Sequence, residues 1–159
     1  MTAPRLLFVL LVAVALVASA CGGGGEPSVE QFGDAVVLNR DRADFVLGRI
    51  TRAQSPEELL TRMDEAAIVI GKAADELEDT GAPSDFQPEA GALVASLRQL
   101  SVDVQATADQ ARVPGFETLL TDTALQGLSF DSWDQVNKAL AGLAGKGIEV
   151  SILQRHGGE

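Results

Sequence analysis

The chain has no tyrosine, one tryptophan, one cysteine and one histidine, and aromatic residues fill only 4% of its 159 positions. A single cysteine excludes an internal disulfide framework and any Cys-rich zinc site. One histidine, His156, excludes multi-histidine metal centres. No glutamate is followed three residues later by histidine, the pairing that di-iron bundles use. Cations are scarce too: 12 Lys and Arg stand against 23 Asp and Glu, a net charge of −11. That balance argues against nucleic acid as a partner, because phosphate binding needs clustered Lys and Arg. Ser and Asp are plentiful, but no base is placed to activate a nucleophile. The chain is therefore expected to be no enzyme, with no cofactor and no metal.

What the sequence does contain begins at its amino terminus. Arg5 is the one side-chain charge before an uninterrupted apolar run, Leu6 to Val17, of twelve residues. Ala18-Ser19-Ala20 and then Cys21 follow. A short charged start, an apolar stretch and a small-residue cleavage site make a secretory signal peptide. The run is too short to span a bilayer comfortably, which takes about 20 residues. Cysteine directly after the small residues matches a bacterial lipobox, in which the thiol receives diacylglycerol and the chain is cut before it. Ala18 departs from the more usual Leu at that position. Residues 1–20 are thus read as a lipoprotein signal peptide and Cys21 as the lipidation site. Two acyl chains hold a protein to a membrane stably where one does not, at about 0.8 kcal/mol per buried CH₂. Losing Arg5 with the leader leaves 11 cations against 23 carboxylates, a net of −12. Residues 21–27 form the anchor and a Gly-rich tether, and its six residues after Cys21 reach on the order of 13 Å.

Beyond the tether the periodicity is helical. Val29, Phe32, Val36, Asn39, Ala43, Val46 and Ile50 recur at steps of three and four, all but Asn39 apolar, predicting a first helix from about Ser28 to Ala53. Ser55-Pro56-Glu57-Glu58 reads as a capping box with proline at the first helical position, opening a second helix that Gly81 and Pro83 stop. Leu93, Leu97, Leu100 and Val104 carry a third, starting near Pro88 and ending at Val113-Pro114-Gly115. The fourth segment runs from Phe116 and weakens at Gly127-Leu128-Ser129. It restarts near Asp131-Ser132, with Ser132 and Gln135 as a second capping box, and continues to Gly145. Ile148 to Ile152 alternates like a strand but has no partner strand. It is expected to lie as an extended tail, or as a continuing helix, against the bundle. The fold predicted is all-α: an up-and-down four-helix bundle over residues 28–153 with a broken fourth helix, followed by a mobile tail, 154–159.

Three features inside the body invite a functional reading. Asn39 interrupts an apolar stripe; it either fixes the register of the bundle or lines an internal pocket. Trp133, beside Phe130, either belongs to the core or forms a contact patch. Asp75, Glu76, Glu78 and Asp79 crowd one helix end. They lack the spacing and central glycine of a calcium loop, so they read as a solvated acidic face.

Nine Arg against three Lys, with many Ala, Val and Gly, point to a GC-rich genome. With the signal, Cys21 and the helical body, the chain resembles the small all-helical lipoproteins of actinobacteria. Many of these carry a late cysteine after a Gly-hydrophobic segment; Gly147-Ile148 is present here and that cysteine is not. The resemblance implies a lipid-anchored protein on the extracytoplasmic face of the cell membrane, held by diacylglycerol on Cys21. The expected role is a non-catalytic interaction or accessory module of the cell envelope, with an envelope protein as partner. The alternative is a carrier that holds a small apolar ligand or lipid between helices, where Ala43, Ala67, Ala74 and Ala90 leave room.

Overall fold

A computed structural model describes residues 26–114 and 130–155 of the chain. The leader, Cys21, the four glycines after it, the segment from Gly115 to Ser129 and the last four residues lie outside the described part. The expected break in the fourth helix therefore lies outside it as well. Among the described residues there are four α-helices: α1 (Val29–Ile50), α2 (Pro56–Thr80), α3 (Gln87–Ala111) and α4 (Asp131–Gly145). A 3₁₀ turn, Ser84–Phe86, leads into α3. The described residues contain no β-strand.

Each start has a local cause. Ser28 caps α1: its Oγ accepts from the Gln31 N–H at 3.1 Å, and Gln31 Oε1 accepts from the Ser28 N–H at 3.2 Å. This reciprocal pair satisfies two of the donors that a helix start leaves orphaned. The α1 helix stops at Ile50 rather than Ala53. Thr51 Oγ1 donates to the Gly48 carbonyl, and the Arg52 and Ala53 amides reach back three residues instead of four, which tightens the chain out of the α-helix. At α2, Ser55 Oγ accepts from the Glu58 N–H, with Pro56 next in line. The Glu58 carboxylate reaches past the cap to the Gln54 N–H at 2.7 Å. Gly81 ends α2 at φ 71°, a left-handed backbone that glycine adopts without steric cost.

The α4 start differs from expectation. Its N-cap is Phe130, which makes no side-chain cap bond, and Ser132 sits inside the helix, buried. The Ser132 hydroxyl is drawn away from its own helix end to Asp103 on α3, at 2.5 Å.

Cross-helix pairs fix the up-and-down topology. Arg42 meets Glu76 and Arg49 meets Glu65, so α1 and α2 run antiparallel. Gln105 donates to Asp64 while Arg98 pairs with Asp75, which sets α3 against α2. Ser132 with Asp103 and Lys146 with Glu89 do the same for α3 and α4. One continuous apolar cluster fills the interior, from Phe32 and Phe86 at one end through Leu47, Met63, Ile70, Leu97 and Leu100 to Trp133 and Leu140 on α4. Burial of such surface, at about 25 cal/mol per Å², is what holds four amphipathic helices together.

The seam between α1 and α4 is closed differently. The extended segment after α4 turns back and lies along it, as expected of a tail laid on the bundle. Ile148 packs over Gly33 of α1, and Leu153 is 1% exposed. No helix among the described residues is long and apolar enough to cross a membrane.

Candidate functional site

The eight helix ends divide into two poles. One pole gathers the start of α1, the end of α2, the start of α3 and the end of α4. Here Phe32 and Phe86 rings stand 5.9 Å apart, and Lys146 lies 6.0 Å from the Phe86 ring centre. Lys146 Nζ also donates to the Asp85 carbonyl and the Glu89 carboxylate. The chain enters at this pole: the Glu26 carboxylate accepts the Ser84 N–H, and Pro27 lies near Gly81. Residues 26 and 27 therefore sit at the α2–α3 turn.

Asn39 is buried and bonded within its own helix. Its Nδ2 donates to the Ala35 carbonyl at 3.1 Å, and its Oδ1 accepts from Arg42 at 3.4 Å. It borders none of the three clefts described below. Trp133 is buried at 2% exposure, and its indole Nε1 has no acceptor among the described residues. Phe130 packs partly buried against the same core. These two features lie on different helices and do not converge on one site.

The acidic stretch at the end of α2 is divided among cations of its neighbours. Arg98 of α3 donates to both Asp75 and Glu78, and Arg42 of α1 pairs with Glu76. The Arg98 guanidinium holds the Glu78 carboxyl below its ordinary range, and the two carboxylates raise the Arg98 pKa in turn. Among the described residues, no group of three His, Cys, Asp or Glu is placed to hold a metal ion.

Open clefts mark the surface of the described residues. One of about 570 Å³ runs between α1 and the start of the docked segment, lined by Val29, Gly33, Val37, Leu38 and Ile148. A second, about 340 Å³, lies between α2 and α3 over Leu77, Ala82, Ala90 and Gly91. A third, about 550 Å³, lies between α3 and α4 over Ala92, Ala95, Lys138 and Ala139.

The most built arrangement was not marked by any sequence motif. It is the seat of the C-terminal segment on α1 and α4. Arg40 Nη2 donates to the Ile152 carbonyl at 2.5 Å, and Asp44 accepts from the Gln154 N–H at 2.7 Å. Asn137 of α4 takes both groups of Leu153: Oδ1 accepts the N–H at 2.8 Å, and Nδ2 donates to the carbonyl at 3.4 Å. Arg155 pairs with Asp134. The one signal available in sequence was the apolar–polar alternation of Ile148 to Ile152, which needs something to lie against.

No family model matches this chain, and no curated protein or solved structure is significantly similar to it.

Proposed function

We propose that this protein is a lipoprotein held by diacylglycerol on Cys21 at the extracytoplasmic face of the cell membrane. There it presents its helical bundle as a non-catalytic interaction or accessory module of the envelope. One observation carries the reading: a twelve-residue apolar run, three small residues, Cys21 and four glycines follow one another without interruption. The rest of the molecule is compatible with it. The chain enters at the α2–α3 pole, so a tether from Cys21 would turn that pole toward the bilayer. Glu26, Glu30, Asp79 and Asp85 stand there, and anionic headgroups would repel them. The bundle would then stand off, with the α1–α2 loop and the start of α4 pointing away from the lipid. Metabolic labelling with an alkyne fatty acid tests the anchor. Label is expected on the wild-type chain and absent from Cys21→Ala; equal label on both removes the reading.

A carrier of a small apolar ligand is the second reading, and one observation favours it. Ala43, Ala67 and Ala74 are packed into the core, but Ala90 borders the open cleft between α2 and α3. Native mass spectrometry of the purified protein decides here: a bound lipid or apolar metabolite would favour the carrier, and a mass equal to the chain alone would not.

A further inference from the structure

The outer face of α1 keeps an apolar row in the open. Leu38 and Phe45 are 50% and 62% exposed among the described residues. They lie seven residues apart, so they share one face at a spacing of about 10 Å. The outer face of a bundle helix is ordinarily polar. Leu38 also lines the 570 Å³ cleft between α1 and the docked C-terminal segment, together with Val29, itself half exposed.

The charge around this face has one sign. Glu30, Asp34, Asp41 and Glu149 line the cleft, and no Lys or Arg does. Asp41 meets Arg40. The carboxylates of Glu30, Asp34 and Glu149 are exposed and have no hydrogen-bond or ion-pair partner among the described residues. Elsewhere carboxylates are matched: Asp64, Asp75, Glu76 and Glu78 each meet an arginine. Asp34 and Asp41 each stand four residues before an exposed apolar side chain, Leu38 and Phe45. Residues four apart are neighbours on a helix surface, so a negative row runs beside the apolar one.

We propose that this face of α1, with the cleft beside it, docks a basic amphipathic helix of a partner protein. Apolar side chains of that helix would meet Leu38 and Phe45, and its Lys or Arg would meet the Asp34–Asp41 row, Glu30 and Glu149. Helices are recognised through anchors repeating at three, four and seven residues, and charges beside an apolar seam select partner and orientation. Charge complementarity decides the occupant. A second copy of this chain brings 23 carboxylates against 12 cations. Its own α1 would set like charges opposite each other in a two-fold pair. An anionic lipid surface is repelled for the same reason. The inference rests on the interaction-module reading and gives it a partner chemistry; it does not rest on lipidation of Cys21.

The probe is a fluorescent peptide of Leu and Lys alone, patterned as an amphipathic helix. It is titrated with the full chain in zwitterionic nanodiscs, with empty nanodiscs as the blank. Anisotropy should show saturable binding that weakens with added salt. Leu38→Ala with Phe45→Ala should weaken it about tenfold. Asp34→Asn with Glu149→Gln should weaken it about as much. Glu57→Gln with Asp131→Asn removes the same charge from the opposite pole and should change affinity less than about twofold. A scrambled peptide of the same composition should bind about tenfold more weakly. Circular dichroism should show native helix in every variant. Equal loss in the Glu57–Asp131 pair, or equal binding of the scrambled peptide, reduces the attraction to net charge and overturns the proposal. So does a Leu38–Phe45 variant that binds as the wild type does. Crosslinking of the chain without peptide should give monomer; a dimer that the Leu38–Phe45 variant abolishes would seat a second copy here and overturn it too. Fatty-acid labelling of Cys21 is read separately, so failure of this surface and failure of the anchor are distinguishable.

Discussion

The Ser132 hydroxyl on α4 donates to the Asp103 carboxylate on α3 at 2.5 Å, and Ser132 is 1% exposed. This bond ties the start of α4 to the third helix where no side-chain cap holds the helix end. Ser132→Ala is expected to cost about 1.5–3 kcal/mol, the range for a hydrogen bond to a charged group. Asp103→Ala should cost about as much, because it leaves a buried hydroxyl unsatisfied. Both changes remove this bond, and Asp103→Ala loses only the exposed bond from Gln99 besides, so the double variant should cost little more than Asp103→Ala alone. Urea unfolding of the four chains measures this; simple additivity would show that the two groups do not interact.

The same residue shows how far the sequence can be read. Ser132 with Gln135 has the spacing of a capping box, yet a carboxylate on another helix outcompetes the local bond. Where tertiary partners do not intervene, local chemistry is legible: Ser55, Pro56 and Gly81 do what their types and spacing predict. Ser28 and Gln31 form an equally readable pair. The four helices follow from apolar spacing, since each buries one stripe. The seat for residues 152–154 was not legible. Arg40, Asp44 and Asn137 look like ordinary surface polar residues until the fold brings α1 and α4 to either side of the tail. Asn39 was visible as a polar residue in an apolar stripe, but only the fold shows that its partners, the Ala35 carbonyl and Arg42, both lie on its own helix.

Trp133 is the single tryptophan, and its buried indole N–H lacks an acceptor among the described residues. An unsatisfied buried donor costs about 1–3 kcal/mol. Trp133→Phe removes that donor along with some apolar volume, so the two effects oppose each other. The expected net loss is below about 1.5 kcal/mol, whereas Trp133→Ala should lose about 3–5 kcal/mol. Thermal unfolding followed by circular dichroism measures both. A Phe variant as damaged as the Ala variant would mean that the indole nitrogen has a partner after all.

Acid should weaken the fold in a defined window. Glu58 is held below its ordinary pKa of 4.5 chiefly by the Gln54 N–H, Glu78 by Arg98 and Glu89 by Lys146. A carboxyl with a lowered pKa in the folded state contributes stability that is complete above its unfolded value. That contribution is lost as pH falls through the folded pKa. Stability is therefore expected to hold down to about pH 5 and to decline below it. All three groups are solvent-accessible, so the loss from each is small. Urea midpoints read by Trp133 fluorescence follow the curve. Glu78→Gln should be less stable than the wild type near neutrality and should converge on it in acid; a constant gap across pH would assign the loss to something other than ionisation.

Two helical glycines should respond differently to the same substitution. At Gly91 an added Cβ would meet nothing within 4 Å, so Gly91→Ala should stabilise α3 by about 0.5–1 kcal/mol through the lower backbone entropy of the unfolded chain. At Gly71 the Cβ would lie 3.2 Å from Ser101 Oγ. That hydroxyl is fixed by its own bond to the Ala67 carbonyl at 2.7 Å, across the α2–α3 contact. Gly71→Ala must therefore push against a held group, and the helix gain is offset. In a Ser101→Ala background the obstruction is gone, and Gly71→Ala should recover about 0.5–1 kcal/mol. Denaturant unfolding of Gly91→Ala, Gly71→Ala, Ser101→Ala and the Gly71–Ser101 double variant settles the point. Equal gains from both glycine substitutions in the wild-type background would mean that α2 and α3 are not held this close at Ser101.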